Sequence, residues 1–588
     1  MFKKVLIANR GEIAVRVIQA CRELGISTIA IFSEPDKDSK HVHMADEKWQ
    51  MEGQPAKVYL DADQILSIAK RAGAEAIHPG YGFMSENVDF AKKCLDEGIK
   101  FIGPRPEVIH RMGSKIESRR VMEQAGVPVV PGTTDPVSTV AEVQALGEKY
   151  GYPIAIKASA GGGGRGLRVV RKPEDVEQAL AGAIREGTSY FGSGEVYVEK
   201  YLDRPRHIEV QILADEHGKI LHLFERDCSS QRRHQKLLEE TPAPKLEAKL
   251  RERLTEAAVR GATALGYTSA GTVECMVSGN DFYFLEVNTR IQVEHPITEM
   301  TTGIDIVKEQ ISIACGNKLA LSQEDIHPFG HAIECRINAE DPSKNFMPSP
   351  GTLSRFELPH HPWVRVDTAC YPGYTVLPFY DSLLAKLVVW GRTREEAIRR
   401  TRVALTHFKI EGVATTIPFH LALLDDPNFQ AGEIYTTYVE QDFMKRFKLP
   451  AAPKAGDLTE VGTTTRSETR SFEVGVNQKV FTVSVSELVD STKAKSAVQT
   501  KATAVRERPA QTAQAGSGEI KATMHGLVKE ILVKEGDTVK VGQKLAIFEA
   551  MKMESDVLAD KDGKVKSISV KTGQTVENGM LLIVIKDE

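Results

Sequence analysis

From Val5 to Ile102, short apolar runs alternate with stretches of helical period. Val5 to Ala8, Thr28 to Phe32, Ala76 to His78 and Lys100 to Ile102 read as strands, while Glu12 to Leu24 and Glu86 to Glu97 follow a helical pattern. Strands that alternate with helices predict a doubly wound parallel sheet, since a parallel strand is reached only through a connection that crosses over the sheet. Ser114 to Ala125 reads as a helix leading into a second unit, from about Val130 to Leu202, which holds the glycine cluster Gly161 to Gly164. A third, mixed α/β region continues to about Lys448. The expectation is an α/β chain with units at 1–113, 114–203 and 204–448.

Beyond Pro450 the pattern changes. Between Pro450 and Ser517 the aromatics are Phe472 and Phe481 alone, amid Thr, Ser, Ala, Lys and Glu, too little to build a large core. Residues 449–517 are therefore expected to be mostly linker, with one small hairpin where Phe472 to Val476 and Val480 to Val485 alternate around Asn477-Gln478. The last stretch, 518–588, is an imperfect tandem repeat. At a shift of 37 residues Val528 falls on Val565, Ile531 on Ile568, Val533 on Val570, Gly536 on Gly573, Val539 on Val576, Gly542 on Gly579 and Leu545 on Leu582. Each copy reads as short strands punctuated by glycines, which predicts a small, flattened all-β barrel with two-fold pseudosymmetry. Lys552, in Glu549-Ala550-Met551-Lys552-Met553, falls between the copies, at an expected protruding hairpin.

Composition narrows the partners. A formal charge of −4 with 27% charged residues gives no basic field, so neither nucleic acid nor an anionic membrane is expected. Seven cysteines without a CxxC pair point to a reducing compartment, the cytoplasm by default, and away from structural zinc. The apolar run Val5 to Ala8 is too short for a signal peptide, and no stretch is long enough to span a bilayer.

The candidate chemistry begins at Gly161 to Gly166, GGGGRG, between the strand-like Pro153 to Lys157 and Leu167 to Val170. Glycines let backbone amides curl over phosphate oxygens. This is not a Walker loop, because it joins two strands and keeps its lysine, Lys157, upstream. Farther on, Glu274 and Glu286 stand on two expected strands among apolar residues. Buried carboxylates facing a phosphate pocket call for a cation, Mg²⁺ or Mn²⁺, with Asn288 as a further oxygen ligand.

IANRGEIAVRV, HPGYGFMSEN, KASAGGGGRG, ERDCSSQRRHQK, EVNTRIQVEHP and AIECRINAEDP together resemble biotin carboxylase, an ATP-grasp ligase, in order and spacing from Phe2 to about Phe447. The repeat with methionines flanking Lys552 resembles a biotin carboxyl carrier, with biotin covalent on Lys552. A lipoyl carrier is the alternative there.

The resemblance implies an ATP site with Lys115 and Lys157 at the phosphates under a lid of Gly161, Gly162, Gly163, Gly164 and Gly166. Glu199, Lys200 and Leu202 would meet the adenine, and Gln231, His234 and His207 would lie near the ribose and phosphates. Arg290, Gln292 and Val293, with Lys236, would receive bicarbonate. Glu294 would be the base, and Arg336 would stabilise the enolate-like oxygen of biotin. Cys228 and His295 are read as packing residues.

The layout resembles the α subunit of bacterial acetyl-CoA or propionyl-CoA carboxylases. It implies a separate carboxyltransferase (β) subunit, a biotin protein ligase that loads Lys552, and a homo-oligomer through the carboxylase core. Another biotin-dependent carboxylase (methylcrotonyl-CoA or pyruvate), another ATP-grasp ligase, and a carrier whose ligase region has decayed are the competing readings.

Overall fold

The computed structural model describes residues 1–133, 135–158, 167–191, 194–446, 466–476, 479–489, 518–522, 526–550, 553–577 and 579–586. The glycine lid, Gly161 to Gly166, and Lys552 lie outside the described residues.

Strands β1 (Lys4–Ile7), β2 (Ser27–Phe32), β3 (Glu47–Gln50), β4 (Ala76–His78) and β5 (Lys100–Phe101) form a parallel sheet in the order β3-β2-β1-β4-β5. The helices Gly11–Glu23, Ala62–Ala72 and Val88–Asp96 alternate with these strands. Local chemistry fixes their ends. Asp61 accepts from Gln64 N at 3.0 Å and Asn87 from Phe90 N at 2.8 Å, each meeting an orphan donor of the first turn, while Gly73 takes the left-handed φ of 69° that ends the helix before it.

The second unit is a three-stranded antiparallel sheet, β6 (Ile154–Ala158), β7 (Leu167–Val170) and β8 (Val196–Lys200), in the order β7-β6-β8. With the helices Val140–Tyr150 and Val176–Phe191 it encloses its own core of Val143, Ile154, Ile156, Val170, Leu180, Val196 and Val198.

The site is carried by an eight-stranded sheet. In chain order its strands are β9 (Arg206–Ala214), β10 (Ile220–Arg232), β11 (Gln235–Thr241), β12 (Ser269–Ser278), β13 (Asp281–Asn288), β14 (His331–Asn338), β15 (Val364–Thr368) and β16 (Leu383–Gly391), arranged β13-β12-β9-β10-β11-β14-β16-β15. Register decides which side chains meet: Glu209 lies opposite both Arg226 and Glu274, Glu274 opposite Glu286, and Gln231 opposite Lys236.

The expected hairpin is present and longer than its apolar pattern suggests, pairing Arg466–Val476 with Lys479–Val489. The final region is two four-stranded antiparallel sheets around one core that includes Val528, Val539, Val565 and Val576. The repeat survives in detail. Gly536 N bonds Val565 O and Gly573 N bonds Val528 O, both at 2.8 Å, while Leu532 N to Leu545 O and Ser569 N to Leu582 O also match at 2.8 Å. Ala550 and Met553 pair across two strands, and the two residues joining them are Met551 and Lys552. No helix of the described residues is long and apolar enough to cross a membrane.

Candidate active site

A cavity of about 840 Å³ opens over the sheet. It brings together Lys236, Arg290, Arg336, Gln292, Val293, His207, Gln231, His234, Glu274, Glu286 and Asn288, all drawn from the sequence expectations. Its wall toward the parallel sheet includes Tyr81, Phe83 and Glu12.

Lys236 is the hub. Its Nζ donates to Glu209 at 2.6 Å, Glu274 at 2.8 Å and Glu294 at 2.6 Å. Burial alone would lower its pKa, but the acidic groups around it hold it well above the ordinary lysine value, so it stays charged. The other oxygen of Glu294 accepts from Arg336 Nη2 at 2.9 Å. Glu294 is fully buried at the N-cap of the helix His295–Thr302, where the helix dipole favours an anion. Its burial would raise the carboxyl, yet Lys236, Arg336 and Arg226 overcome this and keep it far below the carboxylate range. It lies just beneath the residues that line the cavity.

Around it the loop is tied down. Arg290 donates from Nε to Glu86 at 2.9 Å, from Nη1 to Gln292 Oε1 at 2.8 Å and from Nη2 to Asn288 Oδ1 at 3.0 Å. Gln292 and Asn288 in turn donate to Glu274 Oε1 at 3.1 and 2.9 Å. Lys386, fully buried, donates to Val293 O at 3.0 Å. His234 reaches the cavity on a two-residue turn in which it and Arg233 both have positive φ, 63° and 49°, the geometry that suits the twist of a tight hairpin.

The two acidic strand residues differ from expectation. Glu274 is buried but not unpaired: His207 Nε2 lies 2.9 Å from its Oε2, and Lys236 takes Oε1. Burial would raise its carboxyl, and Lys236 and His207 bring it well below the ordinary value. Glu286 is exposed, because β13 ends the sheet and its face opens to solvent. Partial burial and the charge of Glu274 push its carboxyl up.

Lys157, Glu199, Lys200 and Leu202 do not line this cavity. Lys157 Nζ donates to Glu199 Oε2, and Lys200 Nζ donates to Tyr150 O at 2.8 Å. Lys115 opens the helix Lys115–Gln124. Cys228 is fully buried with its thiol pushed up by burial, and its Sγ lies 4.0 Å from Glu294 Oε1. His295 is buried, and burial holds it well below the ordinary histidine value.

Glu209 and Arg226 were not among the sequence candidates. Arg226 is fully buried and donates to Glu209 at 2.6 Å, Gln211 at 2.7 Å, Thr298 at 3.0 Å and Thr272 at 3.3 Å. A signal for Glu209 exists: between Arg206 and Ile212, His207, Glu209 and Gln211 alternate with the apolar Ile208 and Val210, so all three share one face.

A carboxylate-bearing antiparallel sheet, joined to a separate small sheet that carries Lys157 at the end of β6, defines an ATP-grasp ligase. Comparison with known proteins agrees. The chain matches the family models described as biotin carboxylase N-terminal domain over residues 1–109, carbamoyl-phosphate synthase L chain ATP-binding domain over 114–322, biotin carboxylase C-terminal domain over 334–441 and biotin-requiring enzyme over 515–585. It is 53% identical over 443 residues to biotin carboxylase 1 of Bacillus subtilis, covering 75% of this chain and 98% of that protein. It is 44% identical over 571 residues to the biotin-dependent acyl-coenzyme A carboxylase alpha3 subunit of Mycobacterium leprae, covering 95% of this chain and 94% of that one.

Among solved structures, the biotin carboxylase domain dimer of Hydrogenobacter thermophilus 2-oxoglutarate carboxylase, in complex with MgADP, ADP and bicarbonate, superposes with a TM-score of 0.68 at 50% identity over 75% of this chain and 97% of that one. The biotin carboxylase subunit of a pyruvate carboxylase gives 0.70 at 48% identity, over 75% and 98%. The chain belongs to the biotin carboxylase family and carries a biotinyl domain fused behind the carboxylase.

Proposed function

We propose that this chain uses ATP and bicarbonate to carboxylate biotin held on Lys552, as the α subunit of an acetyl-CoA or propionyl-CoA carboxylase. The observation that carries the chemistry is Glu294, clamped between Lys236 and Arg336. A carboxylate so held is charged at any physiological pH but weakly basic. Bicarbonate entering beside Arg290, Gln292 and Val293 competes for Lys236 and Arg336. As those cations turn to the substrate, Glu294 becomes the stronger base it must be.

Glu294 then takes the bicarbonate proton while a bicarbonate oxygen bonds to the γ-phosphorus of ATP and the bond to ADP breaks. The resulting carboxyphosphate splits to CO₂ and phosphate inside the site, where water is excluded. Phosphate accepts the proton of the biotin ureido nitrogen, which attacks CO₂, and Arg336 stabilises the negative ureido oxygen.

Glu274 and Glu286 face one another across paired strands and repel, and Asn288 adds a carbonyl oxygen, so the set fits Mg²⁺ or Mn²⁺. When bound, such an ion offsets charge on the ATP phosphates. Gln231, His234 and His207 face the nucleotide from the cavity, Lys115 and Lys157 meet its phosphates, and Glu199, Lys200 and Leu202 meet its adenine.

Acceptor chemistry belongs to a separate carboxyltransferase subunit, a reading supported by the Mycobacterium leprae relative's being one subunit, alpha3, of a biotin-dependent acyl-coenzyme A carboxylase. The exposed Phe329 and Trp363, tilted against Trp390 at centroid distances of 5.4 and 4.9 Å, favour a homo-oligomer. Seven free cysteines favour the cytoplasm, where a biotin protein ligase loads Lys552. Glu294→Gln is expected to abolish bicarbonate-dependent ATP cleavage; turnover near that of the wild type overturns the base assignment.

A further inference from the structure

Arg336 holds a second carboxylate that the steps above do not use. Glu239 Oε1 accepts from its Nε at 2.6 Å, with Nη2 also 2.6 Å from that oxygen. Glu239 is fully buried in β11, does not line the cavity, and pairs in register with Glu334 of β14, also fully buried. Residues directly opposite in an antiparallel pair share a face, with Cβ atoms about 4.5–5.5 Å apart. Yet Glu239 Oε2 and both oxygens of Glu334 receive no hydrogen bond among the described residues. Two adjacent buried carboxyls with so few donors cannot both be ionised, so one proton must stay on the pair.

We propose that Glu239 and Glu334 form a proton-sharing pair that positions Arg336: singly protonated, it draws the guanidinium back by Nε and leaves Nη2 aimed at Glu294 and the biotin oxygen. Doubly protonated, it loses that hold, and the guanidinium is left to Glu294 alone. The inference rests on the roles given above to Arg336 and Glu294.

The surroundings agree. Burial raises Glu334 well above the carboxylate range despite Lys386 on β16, whose Nζ is already engaged by Glu12 at 3.1 Å and Val293 O. Burial also lifts Glu239, Arg336 pulls it down and Glu294 pushes it up, leaving it at about 7. The other groups facing the pair keep fixed charge near neutrality. Lys236 and Lys386 stay protonated, Glu294 stays ionised, and the thiols of Cys228 and Cys335 are held protonated by burial. His420, whose Nε2 meets Arg336 O at 2.9 Å, is lowered by burial to about 4.

The test is the pH profile of kcat for ATP cleavage by the full chain with free biotin and bicarbonate. The wild type should gain activity as pH rises through about 7, as Glu239 ionises. Glu239→Gln should lose that limb and about 10–100-fold in kcat, the scale of a hydrogen bond to a charged group, with KM for ATP unchanged. Glu334→Leu, which removes the protonated partner that donates to ionised Glu239, should move the limb to higher pH. It also reads the pair if Glu239→Gln fails to fold. An unchanged acid limb in either folded variant overturns the proposal. Bicarbonate-dependent cleavage surviving in Glu294→Gln would instead overturn the base assignment, a separate result.

Discussion

Arg226 tests whether the acidic layer under the cavity is held by charge compensation. Arg226→Met keeps an unbranched side chain and removes the cation. Fully buried Glu209 is left with Lys236 alone, and Gln211, Thr272 and Thr298 lose a donor. Breaking a buried pair from one side costs about 3–5 kcal/mol. At about 2.1 cal/mol/K of unfolding entropy per residue, roughly 440 residues of carboxylase give about 0.9 kcal/mol/K and a fall in Tm of about 3–5 °C. Adding Glu209→Leu removes the stranded charge, while Lys236 keeps Glu274 and Glu294. The double variant should recover most of the lost stability and little of the activity. Calorimetry of the full chain beside bicarbonate-dependent ATP cleavage reads both. A single variant melting within about 1 °C of the wild type, or a double variant no more stable than the single, refutes the compensation argument.

Lys552→Arg should abolish biotin incorporation by intact mass and end acyl-CoA carboxylation, while carboxylation of free biotin persists; loss of both would assign Lys552 a structural role. Burial would raise Glu240, but His331 at 2.9 Å and Arg394 at 2.6 Å hold it at about 2. Its folded pKa is depressed, so its stabilisation is full above the ordinary carboxylate value and is lost as pH falls toward about 2. Glu240→Gln should therefore be less stable than the wild type at neutral pH, with the gap closing in acid, as followed by circular dichroism.

The apolar runs made the parallel sheet legible because each of its inner strands is buried on both faces, and β1 is continuous Val5-Leu6-Ile7. Register was not legible. Glu209 meets Arg226 and Glu274 only because β9 lies between β10 and β12 at one particular offset, which no local pattern encodes. Glu286 was expected to be buried because its neighbours are apolar, and a strand's own sequence does not say that it ends the sheet. The hairpin's outer rungs, from Arg466 to Ser471, are polar and carry no alternation to announce them. Lys236, Glu294 and Arg336 were legible through motif resemblance, but their mutual ion pairing was not, since it depends on three separate stretches meeting.

The repeated backbone of the carrier gives each local change in one half a matched change in the other. Gly536 and Gly573 have φ of 97° and 81°, and a methyl group at either would meet no neighbour within 4 Å. An alanine at either glycine therefore imposes backbone strain alone, on two copies of one turn. The domain contains its own internal control: subtracting the effect in one half from that in the other removes what the shared scaffold contributes and leaves what distinguishes the two halves.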